Sequence, residues 1–285
     1  MKRKNSSRKA TAGGCRCEKR VRGPDARGQR PQEMIGGSTD YGPEVEIFPD
    51  LEALSRAAAL RFADASRKSI SSKGTFAVAI SGGSTPGSLY LLLGSDYYIH
   101  AIDWQQVHIF WVDERCVPPG HEQSNFKLAF DTFLSTVPVP PGNLHRIKGE
   151  ESPEQGAKEY EAALREFFGK GVIPPLDLIL LGLGEDGHTA SLFPGSAALA
   201  EQERLAVAVR KQPPELDRIT LTLPVLNNAL RVIFLVSGSA KAHIVHEILE
   251  NPETTGKYPA GFVLPARGRL TWLIDKAAAA LLQKK

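Results

Sequence analysis

The run Asp186-Gly187-His188-Thr189 places a histidine two residues after an aspartate, on a segment kept slim by Gly182, Gly184 and Gly187. Histidine is the commonest general base near neutral pH, and a nearby carboxylate can orient it. The six residues from Gly182 also match Gly-x-Gly-x-x-Gly, the dinucleotide fingerprint. That match fails on context, because the fingerprint opens a long helix after the first strand of a fold, whereas Pro194 stops any long helix here. What remains is an acid–base loop with His188 as candidate base and Asp186 as its partner.

Other segments carry chemistry of a second kind. Ser81-Gly82-Gly83-Ser84-Thr85 precedes Pro86, which is placed to open a helix. Small residues at a helix N-terminus let backbone N–H groups approach an anion, so this is a phosphate cradle in form, or else a tight turn with no ligand. It lacks the Gly-Lys-Ser/Thr ending of a nucleotide P-loop. Asp113-Glu114-Arg115 offers carboxylates for sugar hydroxyls and a guanidinium for a phosphate; a surface ion-pair cluster is the alternative. Lys211 and Arg218 flank Pro213-Pro214 and suit a phosphate clamp, against ordinary solvated charge. Cys116 reads as structural, since no sequence neighbour would lower its pKa. The remaining histidines show no metal-ligand spacing, and no Gly-x-Ser-x-Gly elbow supplies a serine nucleophile. No metal and no cofactor is expected.

These segments need elements to hold them. Leu51 to Ala65 repeats apolar residues at helical spacing, and Phe76 to Ile80 is a short apolar run suited to a buried parallel strand. Helices are predicted over Thr85 to Leu93, Asn125 to Leu134 and Ser239 to Leu249. A further helix starts at Ser152-Pro153-Glu154-Gln155, with Ser as N-cap and Gln at the third position, and runs to Phe168 before Gly169. Strands are predicted over Val107 to Val112, Leu176 to Leu181, Leu205 to Val209, Ile219 to Leu223 and Val232 to Val236. From Leu270 to Leu282 a short strand should run into an Ala-rich terminal helix. Such alternation implies an α/β fold, a mostly parallel sheet with helices on both faces. Ligands of such sheets bind beyond the carboxyl ends of the strands, where the segments above fall.

Composition bounds the rest. The 285 residues are 42% hydrophobic and 24% charged, which excludes collagenous, coiled-coil and wholly disordered chains. No apolar stretch approaches the roughly 20 residues that cross a bilayer, and no secretory signal follows the basic start, so a cytosolic protein is expected. Residues 1–33 hold 11 Lys/Arg against 3 Asp/Glu, while the remainder is net acidic. Residues 1–42 lack periodicity and read as a disordered basic extension, with 43–285 as a single α/β domain. Met34 stands just before the first foldable segment and marks an alternative start. The tail could attract nucleic acid, but a nucleic-acid function leaves the ordered motifs after residue 80 unexplained. Cys15, Cys17 and Cys116 form no disulfide framework or zinc pattern.

Taken in order, the Ser81 loop, Asp113-Glu114-Arg115 with Ser124-Asn125, the loop from Asp186 to Gly195, Arg218-Ile219-Thr220-Leu221-Thr222 with Pro224, and the ending Pro265 to Asp275 resemble the 6-phosphogluconolactonase family over about residues 45–283. The resemblance implies a modified Rossmann-like fold shared with glucosamine-6-phosphate deaminases and isomerases. It also implies hydrolysis of the sugar-phosphate lactone 6-phosphoglucono-1,5-lactone, a small-molecule substrate, without a required metal. Gln123 departs from the pattern, where the family often has Asp. The rival is an amino-sugar-phosphate deaminase or isomerase, whose His loop continues to Phe-Asn-Glu-Pro; here the position of that Glu is Phe193, which cannot assist proton transfer.

Overall fold

The computed structural model describes residues 43–283; the expected disordered extension, 1–42, lies outside the described residues. The chain begins β1 (Glu44–Phe48), α1 (Leu51–Lys73), β2 (Phe76–Ile80), α2 (Ser84–Leu93), α3 (Asp96–Ala101), β3 (Val107–Trp111), β4 (Asp113–Arg115), α4 (Asn125–Ala129) and β5 (Leu144–His145). It continues α5 (Pro153–Phe168), β6 (Leu178–Leu181), β7 (Ala206–Val209), β8 (Arg218–Leu221), α6 (Leu223–Leu226), β9 (Arg231–Val236), α7 (Ala242–Leu249) and, after a short helical turn, β10 (Arg269–Asp275).

Seven strands form one sheet in the order β1-β10-β9-β6-β2-β3-β5, every neighbouring pair parallel. All five residues of β2 are buried. Successive side chains of a strand point to opposite faces, so both faces of the sheet are covered there, as a parallel sheet requires. The core is aromatic as well as aliphatic: Phe62 of α1 meets Phe76 edge-on at 5.3 Å and leans on Trp104 at 5.9 Å. Buried Asp177 continues the β6–β2 pairing, its carboxylate accepting from the Ala77 N–H at 2.8 Å while Lys73 Nζ sits 2.9 Å away.

A smaller antiparallel sheet, β4-β8-β7, is joined to the first through one residue. The Val112 N–H donates to Ile80 O in the large sheet at 2.9 Å, and Val112 O accepts from Leu221 N–H in the small one at 2.8 Å. The chain leaving β3 therefore turns into a strand that stands at the carboxyl end of β2.

Several predicted boundaries differ. Helix α1 runs past Ala65 to Lys73, because the small residues Ser66 and Ser69 keep its inner face buried after the large apolar residues stop. Its ends are chemically marked: the Asp50 carboxylate accepts from Ala53 N–H, and Gly74 closes it at φ +80°. The Asn125–Leu134 helix is α-helical only to Ala129 and then widens into a π turn, where Gly94 lies against Thr132 and Phe133. Helix α5 spans its predicted range, but Ser152 makes no side-chain cap and the Gln155 amide turns to Glu159 at 2.7 Å, so the reciprocal cap is absent. The strand predicted to Leu223 stops at Leu221, since Pro224 starts α6. The Ala-rich terminal helix does not form: Lys276 donates to Phe48 O, continuing the β1 pairing, and the residues after it make turns with Ala278 and Ala279 buried. So short a segment lacks the length to propagate a helix against that pairing.

Candidate active site

At the carboxyl ends of β2, β6 and β9, three loops and the small sheet enclose a cleft of about 240 Å³. Cavities for drug-sized ligands run to roughly 300–1,000 Å³, so this one is of a size for a small ligand.

The Ser81 loop forms one wall, and Ser81, Gly82, Gly83, Ser84 and Thr85 all line it. Gly83 is the N-cap of α2 at φ +107°, a backbone region that L side chains rarely adopt, so the first N–H groups of α2 open toward the cleft unshielded by a side chain. Gly82 is required for a different reason: a Cβ there would lie 1.8 Å from Asn125 Oδ1. The glycine therefore admits the Asn125 side chain from α4 into the wall.

The second wall comes from β4. Period-two alternation puts Asp113 and Arg115 on the cleft side and Glu114 on the other. Glu114 serves α4 instead, its carboxylate accepting from the Asn125 and Phe126 N–H groups at 2.7 and 2.8 Å and from Ser124 Oγ at 3.0 Å. Burial pushes its carboxyl up against those hydrogen bonds. Asp113 lines the cleft with both oxygens engaged: Oδ2 accepts from Ser191 Oγ at 2.6 Å and Oδ1 from Asn125 Nδ2 at 3.2 Å. One carboxylate thus ties the β4 wall to α4 and to the His loop. Arg115 Nη1 donates to Gln123 O at 2.6 Å, a backbone contact indifferent to whether residue 123 is Gln or Asp.

The third wall is the acid–base loop. His188 Nδ1 lies 2.5 Å from Asp186 Oδ1, which also accepts from the His188 N–H at 3.1 Å. Burial acts to raise the Asp186 carboxyl, but the His188 N–H and the imidazole outweigh it and hold the group below its ordinary range. Asp186 is therefore an acceptor only, so Nδ1 is the donor, and in the neutral imidazole Nε2 carries the lone pair. His188 lines the cleft, whereas Asp186 does not. A Cβ on Gly184 would lie 2.0 Å from His188 Nδ1, so this glycine is what lets the ring sit against the backbone. Ala190, at φ +50°, is the one non-glycine with positive φ among the described residues, and it lines the cleft where the loop doubles back.

The predicted cations separate. Arg218 of β8 lines the cleft with Arg115, but Lys211 does not. Lys211 lines a second cavity with Cys116, Glu215 and Asp217, and its ammonium pairs with Glu215 at 2.9 Å. Cys116 itself is half-buried, and burial pushes its thiol up to about 11, which suits a structural residue. Sequence reasoning missed Lys241, which lines the cleft after β9, with Ser237. The signal was available, since Ser237-Gly238 follows a predicted strand as the other polar turns do. Buried Asp275 fixes this turn by accepting from Ser237 Oγ at 2.5 Å and from the Gly238 N–H.

Three buried atoms of the lining residues, Ser81 Oγ, Asn125 Oδ1 and Arg115 Nε, have no hydrogen-bond partner within the protein among the described residues. Buried polar groups are rarely left so, and a polyhydroxylated ligand offers the partners they lack. Among the described residues no cluster of three or more His, Cys, Asp or Glu is placed to hold a metal ion, and no helix is long and apolar enough to cross a membrane.

The same architecture occurs in known proteins. The family described as glucosamine-6-phosphate isomerases/6-phosphogluconolactonase matches residues 49–272. The chain is 41% identical over 258 residues to the 6-phosphogluconolactonase 3, chloroplastic, of Arabidopsis thaliana, covering 86% of this chain and 78% of that one. It is 39% identical over 241 residues to the 6-phosphogluconolactonase of Synechocystis sp., covering 83% and 97%. The solved 6-phosphogluconolactonase from Trypanosoma cruzi superposes with a TM-score of 0.76 at 28% identity, covering 85% and 98%. With its loops, its cleft and its sequence all in agreement, the chain belongs to the glucosamine-6-phosphate isomerase/6-phosphogluconolactonase family.

Proposed function

We propose that the protein hydrolyses 6-phosphoglucono-1,5-lactone to 6-phosphogluconate, with His188 as general base. The observation that carries this reading is the Asp186–His188 pair opening onto a cleft lined by Arg115, Arg218 and Lys241. Nε2 of His188 takes a proton from water as the oxygen attacks the lactone carbonyl. The tetrahedral adduct then expels the ring oxygen, which receives that proton from the imidazolium. Asp186 stabilises the imidazolium between these steps, and such proton transfer contributes roughly 10²–10⁴-fold. The cations and the α2 N-terminus hold the phosphate, so binding energy remote from the carbonyl fixes the ring over His188.

Deamination of an amino-sugar phosphate on the same scaffold needs further acid–base groups for ring opening and proton shuttling. Phe193 stands where such a group would serve, its ring 4.6 Å from the His188 ring, so the lactonase reading is preferred. The cytosolic reading also belongs to this proposal, although the Arabidopsis relative is named as chloroplastic; cell fractionation that placed this chain in a plastid would replace it. The decisive assay is proton release from freshly made lactone against the spontaneous rate, with ammonia release from glucosamine 6-phosphate measured alongside. No acceleration of proton release, or ammonia production at a comparable rate, overturns the assignment.

A further inference from the structure

The hydrogen bond from Nδ1 to Asp186 fixes one point of the His188 ring, and a ring held at one point can still turn about it. The face of the ring is held by Phe193, whose centroid lies 4.6 Å away at an interplanar angle of 39°. Phe193 is not part of the cleft lining, so it meets the base and not the ligand. Above Phe193 sits a cation: Lys211 Nζ is 3.7 Å from the ring centroid. The lysine is itself secured, with its N–H donating to Asp217 Oδ1 at 2.8 Å and its ammonium paired with Glu215 at 2.9 Å. Only 18% of its side chain is exposed, and the cavity it lines shares no lining residue with the cleft.

We propose that Lys211 is a positioning residue for His188, acting through Phe193, and that it does not hold the substrate's phosphate. A lone benzyl group resting on a loop can swing with the ring it supports. An ammonium above its face adds an electrostatic attraction that depends on the ring staying where it is. Lys211, Phe193, His188 and Asp186 then form a continuous series in which the cation fixes the phenyl, the phenyl fixes the imidazole plane, and the carboxylate fixes the tautomer. The two roles for Lys211 differ in what they act on. A phosphate ligand acts on substrate binding, whereas a support of the base acts on the transition state.

This inference rests on His188 being the base, and its test separates the two claims. Lys211→Met should lower kcat about three- to thirty-fold, the range a partly buried cation–π contact spans, with KM for the phosphorylated lactone little changed. Unphosphorylated gluconolactone should lose the same factor. Lys211→Arg should restore kcat, because a guanidinium also stacks on an aromatic face. Combining Lys211→Met with Phe193→Leu should cost no more than Phe193→Leu alone. A raised KM with kcat unchanged, a loss confined to the phosphorylated lactone, or additive losses in the double variant overturns the inference. The His188 Cε1–H resonance gives a readout independent of turnover: it should move in folded Lys211→Met, and an unmoved resonance overturns the inference even if the parent proves inactive on the lactone.

Discussion

Arg115 and Arg218 face each other as Cα partners across the antiparallel β4–β8 pair, and their guanidinium groups donate to the backbone oxygens of Gln123 and Leu216. Like charges directly opposite on neighbouring strands destabilise a sheet. Burial, with the charge of Arg115 behind it, pulls the Arg218 guanidinium below its ordinary range. An anion bound between them would offset that repulsion, which supports the phosphate site proposed for this pair.

Arg218→Ala and Arg115→Ala should each raise KM for the phosphorylated lactone by about 10- to 100-fold, the equivalent of a charge-assisted hydrogen bond of roughly 1.5–3 kcal/mol. Hydrolysis of unphosphorylated gluconolactone should respond little to Arg218→Ala. The same contacts should show in thermal shifts: at equal concentration 6-phosphogluconate should raise the Tm of the parent more than that of the Arg218 variant. Equal Tm shifts in both would remove Arg218 from the binding site.

His188→Ala should lower kcat by at least about 10²-fold with little change in KM, because the loss falls on the transition state. Asp186→Asn should also lower kcat, since an amide at this place favours the tautomer that protonates Nε2. A folded His188→Ala protein with near-normal turnover would falsify the mechanism.

Asp113→Ala should leave the buried Ser191 hydroxyl without its acceptor, at about 1–3 kcal/mol, while Asn125 Nδ2 keeps the backbone carbonyl of residue 113 at 2.9 Å. Urea unfolding measures the cost, and kcat should fall in parallel because the His loop loses its tie to β4. An unchanged unfolding midpoint would show that the bridge holds nothing.

Acid should weaken the far edge of the large sheet. Burial, and then the charge of His108 across a 3.2 Å nitrogen–nitrogen contact, lowers His145 from 6.5 to about 4. The folded state therefore binds fewer protons there than the unfolded chain. Stability from this group is intact above about 6.5 and drains as pH falls toward 4. His145→Phe, which should keep the stacking on Phe110 at 4.3 Å, is expected to flatten the fall in Tm between those pH values. Parallel Tm–pH curves for parent and variant would place the acid lability elsewhere.

Much of this was legible in the residues because local rules and tertiary demands agreed. Phe76 to Ile80 is an apolar run too short for a helix, and a five-residue buried strand is what it forms. The Asp186–His188 pair was readable because its partners are two residues apart. Asp113 and Lys211 were harder, since their roles depend on residues far along the chain: Ser191 answers one, and the ring of Phe193 answers the other. No spacing rule reports that a cation near a strand start faces a phenyl ring and not the cleft. The terminal alanines misled for the same reason, as helix propensity is outweighed by a backbone pairing with Phe48, a residue more than 200 positions earlier in the sequence.

That pairing also sets an order of events during synthesis. Among the described residues, strand β1 leaves the ribosome first and β10 last, yet β1's only partner in the large sheet is β10, which lies between it and β9. The nascent chain can pair β2, β3 and β6 while β1 waits without a partner strand. Ribosome-bound chains that stop before Arg269 therefore carry an orphan strand, and chaperone dependence should concentrate in that interval. A circular permutant that keeps the residues after β10, joins them to Glu44 through a crossover long enough for a parallel pair, and opens the chain at an exposed turn would make the two strands together and relieve the wait.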